Sequence, residues 1–370
     1  MLGMLGGGQL GRYFVLAAHK MGYKVTVLDP DPKSPAGRIS DIHLCSAYDD
    51  KEALDVIKNS CLAVTTEFEN IPADSLEYLS QSIQVHPRAS AVRIVQNRIR
   101  EKSFLKENAL PVGPFYIIDS AEALVNIPLN LFPGILKIAE FGYDGKGQKR
   151  VNNIEDVNAA FEEFGERPCI LEKQIRLDRE VSVILARSID GLVEVHPVAE
   201  NVHVNGILDT TVAPARIDQL VEKNVYDLAK IIALKLGYVG VMAVEFFISG
   251  KEIFVNEIAP RPHNSGHYTI DACISSQFEQ QVRTLVEMPL GNPSAHSNAL
   301  MINLLGDSWI KPEVHEPNWE SLLSQGQLKL HLYGKDEPRM GRKMGHITFL
   351  SVDPVSDEVV EEFLEIKRSI

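Results

Sequence analysis

Glu245 and Glu257 lie in two runs of apolar, β-branched and aromatic residues, Val241–Ile248 and Glu252–Glu257, which flank Ser249-Gly250-Lys251. A short glycine-bearing loop between two such runs is a β-hairpin signal. With those three residues as the loop, Glu245 lies opposite Val255, and Glu257 is its diagonal neighbour on the same face. A carboxylate in an apolar strand is costly unless a cation or hydrogen bonds compensate it. Nothing basic alternates with the two glutamates along these strands. The pair therefore points to a bound Mg²⁺ holding a nucleotide polyphosphate, with salt bridges to distant Lys or Arg as the alternative. Just past Glu257, Pro260 and Pro262 stiffen the chain, and Arg261, His263, Asn264 and His267 crowd polar groups into the exit loop. So many polar side chains after a buried strand predict a site.

The 370 residues predict two or three domains. A formal net charge of −13 argues against nucleic acid or an anionic membrane as partner, so any anionic substrate must be gripped by local basic clusters. Cys45, Cys61, Cys169 and Cys273 are widely separated and form no CxxC pair, which reads as reduced thiols of a cytoplasmic protein. Neither a signal peptide nor an apolar run of membrane-spanning length is expected.

Taken in order, Met1–Leu5 is an apolar strand running into Gly6-Gly7-Gly8-Gln9-Leu10-Gly11. A helical pattern to Met21 and a strand, Lys24–Leu28, follow. Gly6, Gly8 and Gly11 fit GxGxxG with Asp29 beyond, a pattern shared by dinucleotide sites, other phosphate sites and plain tight packing. Strand Cys61–Thr65 leads into Glu67 and Glu69, placed either where ligands bind in an open α/β sheet or as caps of a helix over Ile71–Leu79. Val92–Asn108 reads as one charged amphipathic helix whose Arg98 and Lys102 face solvent by default. Lys137, inside the apolar strand Gly134–Ala139, needs an anionic partner. The adjacent glycine-rich stretch, residues 141–148, suits phosphate binding but is not a Walker A loop, because Gln148 opens a strand rather than a helix. Glu172-Lys173-Gln174-Ile175, at the end of another buried strand, could line an adenine pocket. Strands Ala299–Leu304, Gln327–Leu332 and His346–Leu350 and a helix over Ser356–Lys367 suggest a small closing domain. Between the last two strands, four basic residues fall within nine positions from Lys335 to Lys343, a candidate clamp for an acidic substrate.

Lys102, Lys137, GYDGKGQ at 142–148, EKQI at 172–175, Glu180 and the two glutamates followed by APRPHNSGH resemble the ATP-grasp pattern. More narrowly, GGGQLGR at 6–12, TTEFENI at 65–71, NEIAPRPHNSGH at 256–267 and YGK…GRKMGH at 333–346 resemble the family of 5-(carboxyamino)imidazole ribonucleotide synthases. The likeness extends over essentially the whole chain. It implies an α/β ATP-grasp fold in three parts: a doubly wound parallel-sheet domain over residues 1–95, an ATP-grasp domain over 96–295 with a lid at about 112–180, and a small β-rich domain over 296–370. It further implies an ATP-dependent ligase that carboxylates 5-aminoimidazole ribonucleotide with bicarbonate through carboxyphosphate in purine synthesis, as a cytoplasmic homodimer.

Carried over position by position, the resemblance implies that ATP meets Arg98, Lys102, Lys137, Glu180, His203 and Asn256. The stretch Gly142, Tyr143, Asp144, Gly145, Lys146, Gly147 and Gln148 would cover its phosphates, and Glu172, Lys173, Gln174 and Ile175 its adenine. Glu245 and Glu257 would hold Mg²⁺, with Glu257 also at the nucleotide. The ribonucleotide would meet Gln9, Leu10, Glu69, Asn264, Lys335, Arg342 and Lys343, its phosphate lying on the first glycine loop. Lys137, Tyr143, Asp144, Arg261 and Asn264 would act at the reacting groups. The nearest alternative is a formate-dependent glycinamide ribonucleotide transformylase, which would be expected to carry an acid at the position of Gln9. A nicotinamide oxidoreductase built on the first glycine loop would leave Lys137, Glu245 and Glu257 unexplained.

Overall fold

Leu2–Leu5, Val25–Leu28 and Ala63–Thr66 are buried at every position, as strands covered on both faces are. The computed structural model describes residues 1–140, 147–310, 317–324 and 326–369. In it these strands belong to a five-stranded sheet, parallel throughout, in the order Ile42–Leu44, Val25–Leu28, Leu2–Leu5, Ala63–Thr66, Gln84–Val85. This is the expected doubly wound domain. The chain reverses its strand order between Leu2–Leu5 and Ala63–Thr66, so the loops leaving those two strands diverge and open a crevice. Those loops are the glycine loop and Glu67–Asn70. Gly6 holds φ of +107°, a backbone conformation that a side chain would strain.

The remaining strands form two antiparallel sheets. Phe115–Ile118, Cys169–Lys173, Gly134–Ile138 and Gln148–Val151 make a four-stranded sheet backed by the helix Ile154–Glu163. A nine-stranded sheet starts with Glu252–Ala259, Gly240–Ser249, Arg179–Arg187, Ala199–Val204 and Ile207–Ala213. It continues without a break into Asn298–Leu305, Lys343–Ser351 and Leu328–Leu332, so the C-terminal strands extend the central sheet. The helix Gln219–Lys235 is started by the Asp218 side chain, which accepts from Leu220 N, and stops at Gly237, whose φ is +57°. Its Val225, Ala229, Ile232 and Ala233 pack on Val183, Leu185, Met242 and Val244 of the sheet.

Two local expectations are corrected. The hairpin loop has two residues, because Ser249 pairs with Glu252, and a β-bulge between Glu245 and Phe246 sets Glu245 directly opposite Glu257. Without the bulge, Glu257 would face Val244 and point away from Glu245. The single helix expected over Val92–Asn108 is two, Ala89–Val95 and Arg98–Glu107. Asn97 restarts the helix by accepting from Ile99 N and Arg100 N. On the second helix Glu101 and Lys102 are buried, not solvated: Glu101 accepts from Ile258 N at 2.6 Å, and Lys102 donates to Asn256 O at 2.8 Å. The four cysteines are unpaired, Cys45 exposed and the others buried. Among the described residues no helix is long and apolar enough to cross a membrane.

Candidate active site

The three sheets enclose a cavity of about 900 Å³. One wall is a single face of the nine-stranded sheet. Ser182 pairs with Glu245, and Glu180 lies two residues away on the same face. At the acid pair, Asn256 Nδ2 donates to Glu245 Oε2 at 3.2 Å, and His263 Nε2 lies 3.5 Å from Glu245 Oε1. Arg98 reaches Glu257 Oε2 with Nη1 and Nη2, each at 3.3 Å. The distant arginine weighed as an alternative is thus present for Glu257. Burial pushes the Glu245 carboxyl up, and the charges of Glu257 and Glu180 add to the shift while His203 opposes it. Two facing carboxylates of which one resists ionisation are a donor set that a divalent cation fits. Among the described residues no group of three or more His, Cys, Asp or Glu side chains is placed to hold an ion. Nearby, His203 Nδ1 meets Glu180 Oε2 at 2.6 Å. Burial opposes its protonation, but Glu180 and Glu245 outweigh that and raise its pKa.

The cationic wall comes from the four-stranded sheet and the helix Arg98–Glu107. Glu172 pairs across the sheet with Ile135, which puts it diagonal to Lys137. It lies 3.1 Å from Lys137 Nζ and 3.5 Å from Lys102 Nζ. The anion that Lys137 requires is thus supplied within the chain. Burial alone would raise the Glu172 carboxyl, yet the two lysines hold it down at about 2. Burial lowers the Lys137 pKa, and Arg98 and Lys102 add to that shift while Glu172 opposes it. Phe247 and Phe254, directly paired beyond the bulge at two residues from Glu245 and three from Glu257, give this region an apolar lining.

The third wall is the crevice of the parallel sheet. Gly7 N donates to Asp29 Oδ2 at 2.7 Å, and Tyr48 OH donates to the same oxygen at 2.7 Å. Gly8 N donates to Glu67 Oε2, and a Cβ on Gly8 would collide with that carboxylate. Asp29 and Glu67 therefore brace the glycine loop from beneath, and neither caps the helix that begins at Ala73. Burial pushes the Glu67 carboxyl up to about 7, with Asp29 adding to the effect and the Gly8 N–H opposing it. Glu69 is clasped by Arg261 Nε at 2.5 Å; burial would raise its carboxyl, but Arg261 brings it below the usual range. Lys335 crosses from the C-terminal loop and donates to Gln9 Oε1 at 2.8 Å and Lys343 O at 2.7 Å. Asn264 is buried on the cavity wall, and among the described residues neither of its side-chain polar atoms has a hydrogen-bond partner. A buried amide left so is poised for a ligand.

Most residues singled out from the sequence line this one cavity: Gln9, Leu10, Glu69, Arg98, Lys102 and Lys137; Gln148, Glu180, His203 and the segment Glu172–Ile175; and Glu245, Asn256, Glu257, Arg261, Asn264 and Lys343. Lys335 touches it through Gln9. Arg342 and Gly147 are not on its wall, and Arg342 Nη1 instead donates to Glu337 O at 2.6 Å. Gly142, Tyr143, Asp144, Gly145 and Lys146 lie outside the described residues. Sequence reasoning singles out Glu67 and His263 without assigning either to a ligand, and it misses Phe247, Phe254 and Ile135, which also line the wall. Strand alternation carries a signal for two of them, since Phe247 and Ile135 lie two residues from Glu245 and Lys137.

Three family models match successive parts of the chain. They are the ribonucleotide synthetase preATP-grasp domain over residues 1–96, the ATP-grasp domain over 103–278, and the phosphoribosylaminoimidazole carboxylase C-terminal domain over 299–359. N5-carboxyaminoimidazole ribonucleotide synthase of Bacillus subtilis is 39% identical over 364 residues, covering 98% of this chain and 94% of that protein. The Brucella melitensis protein of the same name is 40% identical over 351 residues, covering 94% and 95%. Among solved structures, an N5-carboxyaminoimidazole synthase from Aspergillus clavatus in complex with ADP and 5-aminoimidazole ribonucleotide superposes with a TM-score of 0.90. It is 30% identical and covers 100% of this chain and 98% of its own.

Proposed function

Because the chain belongs to the N5-carboxyaminoimidazole ribonucleotide synthases, we propose a division of its cavity that accounts for that family's reaction. The chain is an ATP-grasp ligase of purine biosynthesis that carboxylates 5-aminoimidazole ribonucleotide at the expense of ATP. ATP occupies the part bounded by Arg98, Lys102, Lys137, Glu172–Ile175, Glu180, His203 and Asn256, with residues 142–148 over its phosphates. The ribonucleotide occupies the crevice, its phosphate on Gln9, Leu10, Lys335 and Lys343 with Arg342 at the outer edge, and Glu69 and Asn264 at its body. Residues 1–95, 96–295 and 296–370 then act as ribonucleotide-binding, ATP-binding and closing domains.

One observation supports this above the rest: the acid pair, the lysines flanking Glu172 and the braced glycine loop all open onto one cavity. Phosphoryl transfer needs positioning and neutralised charge more than covalent help. Glu245 and Glu257 would hold Mg²⁺, which when bound supplies a Lewis acid to the terminal phosphates. Lys137 and Arg98 would spread the remaining phosphate charge. Bicarbonate would be phosphorylated to carboxyphosphate between the two substrates, where Arg261 and Asn264 line the wall. The ribonucleotide amine would then attack that carboxyl group or the CO₂ it releases. Carboxyphosphate is quickly hydrolysed, so Tyr143 and Asp144, in the stretch over the phosphates, would help keep water out. A cytoplasmic homodimer is the compartment and assembly we propose, and sedimentation equilibrium tests the assembly.

The reading is tested by ADP release in bicarbonate buffer with and without 5-aminoimidazole ribonucleotide. Release should depend on the ribonucleotide and match the carboxylated product one for one. Release driven instead by formate and glycinamide ribonucleotide would favour the transformylase alternative.

A further inference from the structure

A chain of buried polar side chains runs along the same sheet face as Glu180 and Glu245, outside the cavity lining, and ends on His263. Thr211 Oγ1 donates to Asn201 Oδ1 at 2.9 Å, and Asn201 Nδ2 donates to Ser182 Oγ at 2.9 Å. Ser182 Oγ lies 2.6 Å from Ser265 Oγ, which lies 2.8 Å from His263 Nδ1. Ser182, Thr211 and Ser265 have no exposure and Asn201 only 5%, and none of the four lines the cavity. Polar groups so deeply buried are retained at a cost unless they are mutually satisfied, as these are.

The direction of the chain follows from donor counting. Asn201 Nδ2 donates to Ser182 Oγ and cannot accept in return, so among the described partners only Ser265 Oγ can take the Ser182 hydroxyl proton. Ser265 Oγ, having accepted, gives its own proton to His263 Nδ1. The Ser265 backbone N–H also points at Nδ1, at 3.3 Å. Nδ1 therefore carries a lone pair, and the ring proton sits on Nε2. Nε2 is the atom that faces Glu245, at 3.5 Å.

We infer that Thr211, Asn201, Ser182 and Ser265 are positioning residues that lock His263 in its Nε2–H tautomer, presenting a fixed hydrogen-bond donor to anionic oxygens held over the Glu245–Glu257 pair. The anion rests on the functional reading above; the tautomer does not. A ring free to exchange tautomers would offer a lone pair there for part of the time, repelling an anionic oxygen. The sheet supplies the means: Asn201 pairs with both Thr211 and Glu180, and Ser182 is two residues along from Glu180, so register alone aligns the chain.

The experiment is ¹⁵N-histidine NMR of the full chain, with the His263 signals assigned by their loss in His263→Gln. Alongside it, kcat and KM are measured for Ser182→Ala and for Thr211→Val, a change of similar shape. The wild type should show a bare Nδ1 and a protonated Nε2. In both variants the two nitrogen shifts should move towards each other, and kcat should fall about tenfold while the KM for ATP stays within about twofold. An Nδ1–H pattern in the wild type would overturn the inference. So would unchanged shifts and kcat in both folded variants. If the shifts respond as expected but the enzyme carboxylates no ribonucleotide, the relay stands and only the functional reading falls.

Discussion

Glu172 is shared by Lys102 and Lys137, and all three side chains are largely withdrawn from water. Glu172→Ala would leave two buried ammonium groups without their anion, so urea unfolding should show a loss of about 3–5 kcal/mol. A loss below about 1 kcal/mol would mean that water already compensates the lysines. The pH signature follows from the carboxyl being held at about 2 against an ordinary 4.5. A depressed carboxyl contributes stability that is full above about pH 4.5 and lost as pH falls through about 2. Glu67 has the opposite sign. Its carboxyl is raised to about 7, so the folded chain keeps a proton that the unfolded chain has released, and stability declines as pH rises from about 4.5 to 7. Glu67→Gln keeps an acceptor for Gly8 N–H and removes that titration. Its stability relative to wild type should improve by about 2 kcal/mol between pH 5 and 8 in urea melts. A gap that stays constant across that range would contradict the assignment.

Among the elements, the hairpin Gly240–Ala259 carries the acid pair on which the proposed chemistry rests. Its bulge turns two acids that alternation would separate into a facing pair. Glu257→Gln preserves shape but removes a charge from that pair, so turnover should fall by at least about a hundredfold with the fold intact by circular dichroism. A folded variant near wild-type rate would remove Glu257 from the mechanism. The sequence places the two acids on one face only by way of a three-residue loop; the loop has two residues, and the bulge restores the shared face, because loop length and bulge depend on how each strand twists against its neighbour. The burial of the helix Arg98–Glu107 is hidden from the sequence for a related reason. Glu101 and Lys102 look solvated locally, and their partners Ile258 N and Asn256 O lie about 155 residues away. The glycine loop, by contrast, could be read directly, because strand, glycines and helix are contiguous. The acids beneath it could not be assigned, since either a ligand or a helix cap accounts for Glu67 from sequence alone. In the 333–343 loop, Lys335 reaches Gln9 whereas Arg342 bonds within the loop. Arg342→Ala should therefore raise the ribonucleotide KM less than Lys335→Ala does, and the reverse order would move the phosphate outward.

At the scale of the whole molecule, three sheets meet around the one space in which the proposed reaction is placed. The helix Gln277–Leu285 ties the second part to the first, packing Val282 and Leu285 on Phe14 and Val15 and donating from Gln281 Nε2 to Thr65 Oγ1 at 3.1 Å. Tyr13, on the first helix, sits among His267, Phe278, His331, Tyr333 and His346 with ring centroids 5.1–6.1 Å away, so all three parts converge on its ring. The C-terminal loop is held to the first domain by Arg38, which pairs with Asp336 and donates to Gly334 O at 3.1 Å. That docking brings Lys335 to the glycine loop, so that in the proposed arrangement the two substrates share one cavity but are gripped by different parts of the chain. Calorimetric titration of Lys335→Ala with 5-aminoimidazole ribonucleotide and, separately, with Mg²⁺ and ATP tests this most directly. A charge-assisted phosphate contact is worth about 1.5–3 kcal/mol, so the ribonucleotide should bind about ten- to a hundredfold more weakly while ATP affinity stays within about twofold. Weakened ATP binding with the ribonucleotide unaffected would contradict it.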